Sequence, residues 1–519
     1  MPADLPVIEA MLVYVTVIVY ALTLLALSLY GMNFLYLVFV AWRHRHDRSH
    51  APPLNSNPIV TVQIPIYNER HVAERVIDAA CRMDWPRDRL EIQVLDDSTD
   101  VTREIVAHAV ARWQAQGLNV VHLHRARRTG YKAGALSEGM RTAKGEFIAI
   151  FDADFAPPAE FLRRAVPHLA ANKRLAFVQA RWGHLNREAS LLTVLQSLSI
   201  DGHFMVEQFA RHRGGYVMNF NGTAGIWRRQ AIEDAGGWSA GKLTEDLDLS
   251  YRAALAGWQS CLLHDLAAPA ELVGEIGAYR RQQTRWAQGS IECAVRLLPR
   301  VWRTHMRLPV KIQSFFHLSG YCIQALMLIM SLIYPLVMAY VDRAPFLKAV
   351  YSTGWLLAPI ALAPTLFFAY AQFVLSRRDW WRRIPHLLCL TVLGSGMVLN
   401  STRAMTRGLR RRSAAFERTP KSGQVGRASA QVGVDYALPL DWIVLAEIGL
   451  CLFNLNTARL AWHARNGGIL LYTIIFALGL AYVAGLSVWQ RRNALQGELR
   501  SIWLTLSELV RNRNVRRIS

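Results

Sequence analysis

Long uncharged stretches near both ends of the chain constrain its fold more than any other feature. Residues 10–42 carry no charged side chain, and similar stretches follow residue 311. About 20 apolar residues are enough to cross the hydrocarbon core of a bilayer as a helix. We predict an N-terminal span within 1–42 and further spans near 313–341, 351–375, 442–464 and 467–490. The chain is therefore expected to be a polytopic integral membrane protein with a soluble domain, residues 58–300, inserted between its spans.

The distribution of basic residues predicts the orientation of these spans. Lys and Arg outnumber Asp and Glu by 59 to 38, for a net charge of +21. Short loops rich in Lys and Arg stay on the cytoplasmic side. Arginines flank residues 384–402 on both sides, so we interpret this segment as an interfacial or re-entrant helix rather than a sixth span. A six-span arrangement, with the loop after residue 402 outside, is the alternative.

Five spans give a consistent topology. The N-terminus lies outside, whereas the basic linker 43–57, the soluble domain and the basic amphipathic tail 491–519 lie in the cytoplasm. Because membrane orientation explains the positive charge, we expect contact with membrane lipid and no nucleic-acid partner. The expected location is a bacterial inner membrane, or a Golgi-like membrane if the chain is eukaryotic.

The soluble domain has the pattern of an α/β fold. Apolar runs at 59–66, 90–95, 119–124 and 147–151 predict strands, and the segments 71–83, 101–116 and 133–143 between them predict helices. Strands that alternate with helices indicate a mostly parallel sheet. Ligands of such sheets bind beyond the carboxyl ends of the strands.

Polar side chains follow three of these strands directly. They are Tyr67 and Glu69 after the first strand, Asp96 and Asp97 after the second, and Asp152 and Asp154 after the fourth. Mg²⁺ and Mn²⁺ prefer oxygen ligands and often share them with a substrate diphosphate. A helix-capping turn would explain Asp152-x-Asp154 alone, but the carboxylates at the end of the second strand favour a metal and diphosphate site.

Three further groups have both a structural and a chemical interpretation. The basic run 125–132, which includes Lys132, can bind phosphate or form a solvated face. Glu245 and Asp246 can cap a helix, or one of them can act as a general base. The segment 282–286 places an amide, a guanidinium and an indole close together, and an indole face stacks well on a sugar ring.

In order and spacing, these groups form a known set. The matching motifs are Asp96-Asp97, Gly130–Leu136, Asp152-x-Asp154, Gln179–Trp182, Phe220–Trp227, Glu233–Trp238, Thr244-Glu245-Asp246 and Gln282-Gln283-x-Arg285-Trp286. The chain resembles the membrane-integrated family 2 glycosyltransferases of the cellulose-synthase superfamily, in particular the cellulose-synthase-like mannan and glucan synthases. The resemblance covers about residues 58–490. It implies an α/β domain of the GT-A type ahead of a transmembrane region, residues 301–490.

The resemblance also implies a role for each matching residue. The catalytic base would be Asp246 with Glu245 beside it, and Asp152 and Asp154 would hold Mg²⁺ or Mn²⁺. The nucleotide sugar would contact Tyr67, Glu69, Asp96, Asp97 and Lys132. The acceptor and the diphosphate would contact Gln282, Gln283, Arg285, Trp286, Asn221, Gly222 and Thr223. A gating loop, residues 408–435, would close over the nucleotide through Phe416, Thr419 and Lys421. This loop has Arg418 where the family pattern has Val.

The expected function is that of an inverting, metal-dependent, processive β-glycosyltransferase. It would add hexose from UDP-glucose or GDP-mannose to a growing polysaccharide of the β-glucan or (gluco)mannan type. Glu447, Asn454 and Asn456 in or near the fourth span suggest a polar conduit for the product; the alternative is that Glu447 lies at the membrane interface. A non-processive enzyme that makes a glycolipid is the alternative function. An inactive scaffold is disfavoured by the intact carboxylates.

Overall fold

The computed structural model places a seven-stranded sheet between apolar helices. It describes residues 6–47, 53–54, 56–342, 344–353, 358–410, 421–423, 425–426 and 441–515. The strands are β1 (Val60–Ile66), β2 (Leu90–Asp96), β3 (Val120–His124), β4 (Phe147–Ile150), β5 (Leu175–His184), β6 (Gly225–Arg228) and β7 (Gln259–Ala270). Their order is β3-β2-β1-β4-β6-β5-β7. Only β6 runs antiparallel to its neighbours β4 and β5, so the predicted mostly parallel α/β sheet is confirmed.

The central strands are buried on both faces, which explains their apolar sequences. Strands of a parallel sheet that is covered by helices read as nearly continuous apolar runs. In β1 the polar exceptions pair across to β2: the hydroxyl of Thr61 donates to Glu91 at 2.6 Å, and the amide of Gln63 donates to Gln93 at 3.0 Å. These buried polar groups are therefore satisfied inside the sheet.

Helices cover both faces of this sheet. Within the soluble domain they are α2 (Ala73–Cys81), α3 (Thr102–Gln114), α4 (Tyr131–Thr142), α5 (Phe161–Ala171), α6 (Leu191–Gly202), α7 (Phe209–Gly214), α8 (Arg229–Asp234), α9 (Glu245–Leu255) and α10 (Ile276–Arg303). The three helices predicted from sequence correspond to α2, α3 and α4. Strands β5, β6 and β7 were not among the predicted elements.

The remaining helices are mostly apolar. They are α1 (Val7–Arg43), α11 (Leu308–Leu318), α12 (Cys322–Tyr340), α13 (Pro345–Thr353), α14 (Ala358–Ala361), α15 (Ala363–Leu375), α16 (Ile384–Gly396), α17 (Val398–Leu409), α18 (Ile443–His463) and α19 (Gly467–Val515). Among the described residues, four helices are long and apolar enough to cross a membrane: α1, α12, α18 and the part of α19 up to Asn493. A bent pair, Trp380–Gly396 and Val398–Leu409, adds a broken span or a re-entrant loop. The orientation of these helices stays a prediction.

Two predicted spans differ from the helices observed. The span near 313–341 is interrupted, because α11 ends at Leu318 and α12 begins at Cys322. The span near 351–375 falls on several helices, of which α15 has 13 residues and is too short to cross a bilayer alone. Residues 354–357, which belong to the same predicted span, lie outside the described residues.

A buried ion pair joins the soluble domain to the apolar helices. Arg280 of α10 donates to Glu447 of α18 at 2.5 Å, and both side chains are almost fully buried. In the same span, Asn454 accepts a hydrogen bond from Ser331 at 2.9 Å. Two of the polar side chains on which the conduit prediction rests are thus paired with protein groups, and the conduit itself stays a prediction.

The ion pair yields a prediction about stability. Glu447→Leu leaves the Arg280 guanidinium buried without its carboxylate, which should cost about 3–5 kcal/mol of unfolding free energy. The double variant Arg280→Leu with Glu447→Leu should recover most of this loss, since an apolar pair carries no desolvation penalty. Thermal unfolding of the detergent-solubilised protein measures both. A double variant no more stable than Glu447→Leu contradicts the prediction.

Candidate active site

A cavity of about 220 Å³ lies beyond the carboxyl ends of β1, β2 and β4. Most of the site residues predicted from sequence line it. They are Tyr67, Glu69, Asp97, Lys132, Asp152, Asp154, Asn221, Gly222, Glu245, Asp246, Gln282, Arg285, Trp286 and Lys421. Groups from widely separated parts of the chain therefore meet at the edge that the topology of the sheet predicts.

Three predicted site residues lie near this cavity but not in its lining. The Asp96 carboxylate is fully buried and turns to the edge of the sheet, where it lies 2.9 Å from Nε2 of His122. Thr223 lies beneath the site, and its hydroxyl accepts from the backbone N–H of Asp152 at 2.9 Å. Gln283 is out of phase with Gln282, because residues one apart on a helix do not share a face. Phe416 and Thr419 lie outside the described residues.

Each carboxylate of the Asp152-x-Asp154 turn faces a lysine. Lys132 Nζ lies 2.5 Å from Asp152 Oδ1 and also donates to the carbonyl of Gly222 at 2.8 Å. Lys421 Nζ lies 2.7 Å from Asp154 Oδ2. Burial alone would lower the pKa of Lys132, but nearby carboxylates, foremost Asp152, raise it. Two neighbouring carboxylates that attract ammonium groups from distant segments of the chain are suited to binding a divalent metal ion.

Glu245 and Asp246 begin helix α9 and face the same cavity. The Asp246 carboxylate accepts from the backbone N–H of Leu247 at 2.8 Å. Burial raises the pKa of both carboxyls, and the charge of Asp246 contributes to raising that of Glu245 to about 7. Gly222 has φ +79 and lies so close that a Cβ there would be 3.0 Å from Asp246 Oδ2, so only glycine fits above this carboxylate.

The residues after β1 and β2 form the other end of the cavity. The Arg128 guanidinium stacks on the ring of Tyr67, 3.5 Å from its centroid, and both residues line the cavity. Asp97 forms an ion pair with Arg125 at 2.6 Å. Within the basic run 125–132, Arg125 thus supports a carboxylate, while Arg128 and Lys132 face the cavity.

Helix α10 presents one face to the cavity. Gln282, Arg285 and Trp286 are spaced three and four residues apart, which places them side by side on a helix. Burial lowers the pKa of Arg285, while the carboxylate of Glu245 opposes this. The helix thus aims an amide, a guanidinium and an indole at the carboxylates of α9 and the turn after β4.

Glu271 is a cavity residue that the sequence reasoning missed. It follows β7 directly and is 3% exposed. Its carboxylate accepts from the backbone N–H and the hydroxyl of Ser422, at 2.8 and 3.0 Å, and its carbonyl accepts from Lys421 at 2.6 Å. The signal that could have found it is the one used for the other strands, a charged side chain at the carboxyl end of an apolar run.

A second group of side chains has the geometry of a metal site. The ligand atoms of Asp96, His122 and His124 lie within 4.8 Å of one another. Asp96 on β2 pairs with His124 on β3, and His122 lies two residues before His124 on the same strand. This cluster is separate from the Asp152-x-Asp154 turn, and the two are competing locations for a divalent ion.

Comparison with known proteins matches the family described as "Glycosyltransferase like family 2" to residues 57–289. A probable glucomannan 4-beta-mannosyltransferase 6 of Oryza sativa subsp. japonica is 49% identical over 238 residues, 45% of this chain and 42% of that protein. Glucomannan 4-beta-mannosyltransferase 2 of Arabidopsis thaliana is 42% identical over 300 residues, 56% of each chain. The chain spans about half the length of the curated relatives that it matches.

A solved mannosyltransferase from Pyrobaculum calidifontis aligns with TM-score 0.48 and 23% identity, covering 72% of this chain and 98% of the other.

Residues 57–289 therefore match a glycosyltransferase domain of the family 2 type. The relatives place the resemblance more narrowly, in the cellulose-synthase-like mannan synthase group. The resemblance stated from the sequence motifs is thus confirmed.

The raised pKa of Glu245 predicts how stability depends on pH. Between its ordinary pKa of 4.5 and the folded-state value of about 7, the folded protein holds a proton that the unfolded chain releases. The contribution of Glu245 to stability is therefore present below pH 4.5 and is lost as the pH rises to 7. Glu245→Gln should flatten this decline in unfolding temperature. The exposed Glu104→Gln serves as control, and equal slopes for all three proteins contradict the prediction.

Proposed function

We propose that this chain is an inverting, metal-dependent β-hexosyltransferase that builds a mannan-type polysaccharide from a nucleotide sugar. One observation carries the proposal: a single cavity is lined by the candidate base Asp246, the Asp152-x-Asp154 turn and the Arg285-Trp286 face of α10. The names of the relatives, glucomannan 4-beta-mannosyltransferases, favour GDP-mannose over UDP-glucose as the donor.

Asp246 is suited to the role of general base. Burial raises the pKa of its carboxyl, and a base is most effective when its pKa lies closer to the working pH. Asp246 takes the proton from an acceptor hydroxyl, and that oxygen forms a bond to the anomeric carbon. The bond from this carbon to the diphosphate breaks on the opposite face, and its electron pair leaves with the diphosphate. The new linkage is therefore β when the donor is α-linked.

Two cationic side chains support the proposal, because they can stabilise the departing diphosphate. Lys132 and Arg285 both line the cavity near the carboxylates. Fixed charges in a site shielded from water stabilise developing charge without reorganisation. Trp286 lies beside Arg285 and offers an aromatic face for the acceptor sugar.

The Asp152-x-Asp154 turn fits a divalent ion better than the other candidate cluster. Both of its carboxylates line the cavity, and each already attracts a lysine ammonium from another segment. Mg²⁺ or Mn²⁺ bound there would neutralise the charge of the leaving diphosphate. On this proposal Lys421 would exchange its contact with Asp154 for the nucleotide, which is the role predicted for the gating loop.

Processive addition and export are the finer parts of the proposal. The apolar helices that adjoin the domain are long enough to cross a membrane, so a lengthening product would need a polar path between them. A glycolipid-forming enzyme would instead release a product with one sugar added. The length of the product therefore separates the two functions.

The base assignment is tested with the full chain in nanodiscs and labelled GDP-mannose or UDP-glucose. The wild type should yield a ladder of products that β-mannanase or β-glucanase degrades. Asp246→Asn should reduce transfer at least about 100-fold, because general base catalysis contributes that much, while the Kd for the donor stays unchanged. The exposed Asp234→Asn is the matched control. Normal transfer by Asp246→Asn overturns the assignment, and products of one sugar only favour the glycolipid alternative.

The metal assignment is tested by removing one ligand at a time. Asp154→Asn should raise the Mn²⁺ concentration for half-maximal transfer at least about tenfold, since even second-shell changes have effects of this size. Binding of Mn²⁺, followed by electron paramagnetic resonance without nucleotide, should weaken in parallel. His124→Gln, in the competing cluster, should change neither value. A loss of Mn²⁺ binding in His124→Gln but not in Asp154→Asn reverses the assignment.

A further inference from the structure

Two buried polar atoms on one wall of the cavity have no hydrogen-bond partner within the described part of the chain. They are Nε1 of Trp182 and Nδ1 of His184. Both residues belong to the end of β5 and line the cavity. Residues two apart on a strand point to the same face. Leaving a buried donor or acceptor unpaired is costly, so a ligand with polar groups that reached these two atoms would remove that cost.

A hydrogen bond at Nε2 holds the imidazole of His184 in place. Its side chain is 5% exposed, and Nε2 lies 2.9 Å from the fully buried carboxylate of Asp201. Asp201 also accepts from Arg187 and from Gln372, the latter at 3.0 Å. Burial would raise the pKa of Asp201, but His184 and these partners hold it below its ordinary value. The carboxylate is thus an acceptor, so Nε2 donates to it, and an imidazole that carries one proton then presents Nδ1 as an acceptor.

The indole of Trp182 is fixed by aromatic contacts. Its ring lies edge-on to Phe155, with centroids 5.4 Å apart, and 5.7 Å from Phe204. An indole nitrogen can only donate. One wall of the cavity therefore offers a fixed donor and a fixed acceptor two residues apart. Neighbouring hydroxyl and ring oxygens of a sugar supply the complementary pair.

The order of the sheet separates this wall from the residues proposed to hold the nucleotide. Strands β1 and β2, with Tyr67 and Asp97 at their ends, lie on one side of β4. Strand β5 lies on the other side, beyond β6. Trp182 and His184 are therefore separated from the nucleotide end by the turn that carries Asp152. Asp201, which holds the imidazole of His184, also accepts a hydrogen bond from Gln372 of α15. This side of the cavity therefore adjoins the apolar helices.

We infer that Trp182 and His184 form a binding subsite for a hexose unit of the acceptor chain, behind the sugar that receives the transfer. Trp182 Nε1 donates to a sugar oxygen, and His184 Nδ1 accepts from a sugar hydroxyl. Asp201 and Gln372 act as positioning residues that hold the imidazole. This inference rests on the proposed function, and it adds a contact that selects an oligosaccharide over a single sugar.

The test measures binding rather than turnover. Full-length protein with Asp246→Asn, in nanodiscs with GDP and Mn²⁺, is titrated with β-1,4-mannohexaose by calorimetry. Adding His184→Phe or Trp182→Phe should each weaken binding about tenfold, the effect of losing one buried hydrogen bond. His184→Asn should remain within about threefold, because the Asn side-chain oxygen can occupy the place of Nδ1. The exposed His108→Phe is the matched control.

The outcomes separate this inference from the proposed function. Unchanged binding in both His184→Phe and Trp182→Phe overturns the subsite, as does a His184→Asn variant as weak as His184→Phe. Absence of hexaose binding before either change also overturns it. If hexaose binding behaves as expected but the wild type transfers sugar from neither donor, the proposed function fails and the subsite stands. Affinity for GDP, measured in the same samples, confirms that each variant is folded.

Discussion

The fold depends on one electrostatic constraint, the gathering of four carboxylates around one cavity. Asp152 and Asp154 lie in the turn after β4, and Glu245 and Asp246 begin the distant helix α9. Buried charges are expensive unless cations accompany them. Each cation arrives on a different element: Lys132 on α4, Arg285 on α10 and Lys421 from the segment that follows α17. The carboxylates thus help to fix where three other parts of the chain lie.

Much of the site followed from the sequence because strand ends are easy to recognise. Asp152 and Asp154 stand directly after an apolar run, and the rule that such ends meet at one edge brought them to Tyr67 and Asp97. The spacing of Gln282, Arg285 and Trp286 was readable in the same way, as one face of a helix. Resemblance to a known motif set supplied the roles, which neither rule contains.

Other features depend on contacts that no local pattern encodes. The single antiparallel strand β6 is short, and its pairing with β4 and β5 is decided by tertiary packing. Asp96 and Asp97 are adjacent and have identical side chains, so the sequence does not show which of them faces the cavity. Only the structure shows that Asp96 faces His122 instead. Glu447 illustrates the same point for the spans: an acid in an apolar stretch signals a partner or a cavity, and only the fold shows that Arg280 is the partner.

The link between Arg280 and Glu447 has a consequence for where the domain ends. The family 2 match stops at residue 289, inside α10 and far ahead of α18. Arg280 and Arg285 are five residues apart on that helix, so the contact that fixes one also fixes the rotation of the other about the helix axis. A fragment that ends at residue 289 would keep all seven strands of the sheet and lose the ion pair between Arg280 and Glu447. The apolar helices therefore belong to the architecture of the candidate site, since their contact with α10 sets the angle at which Arg285 and Trp286 face the carboxylates.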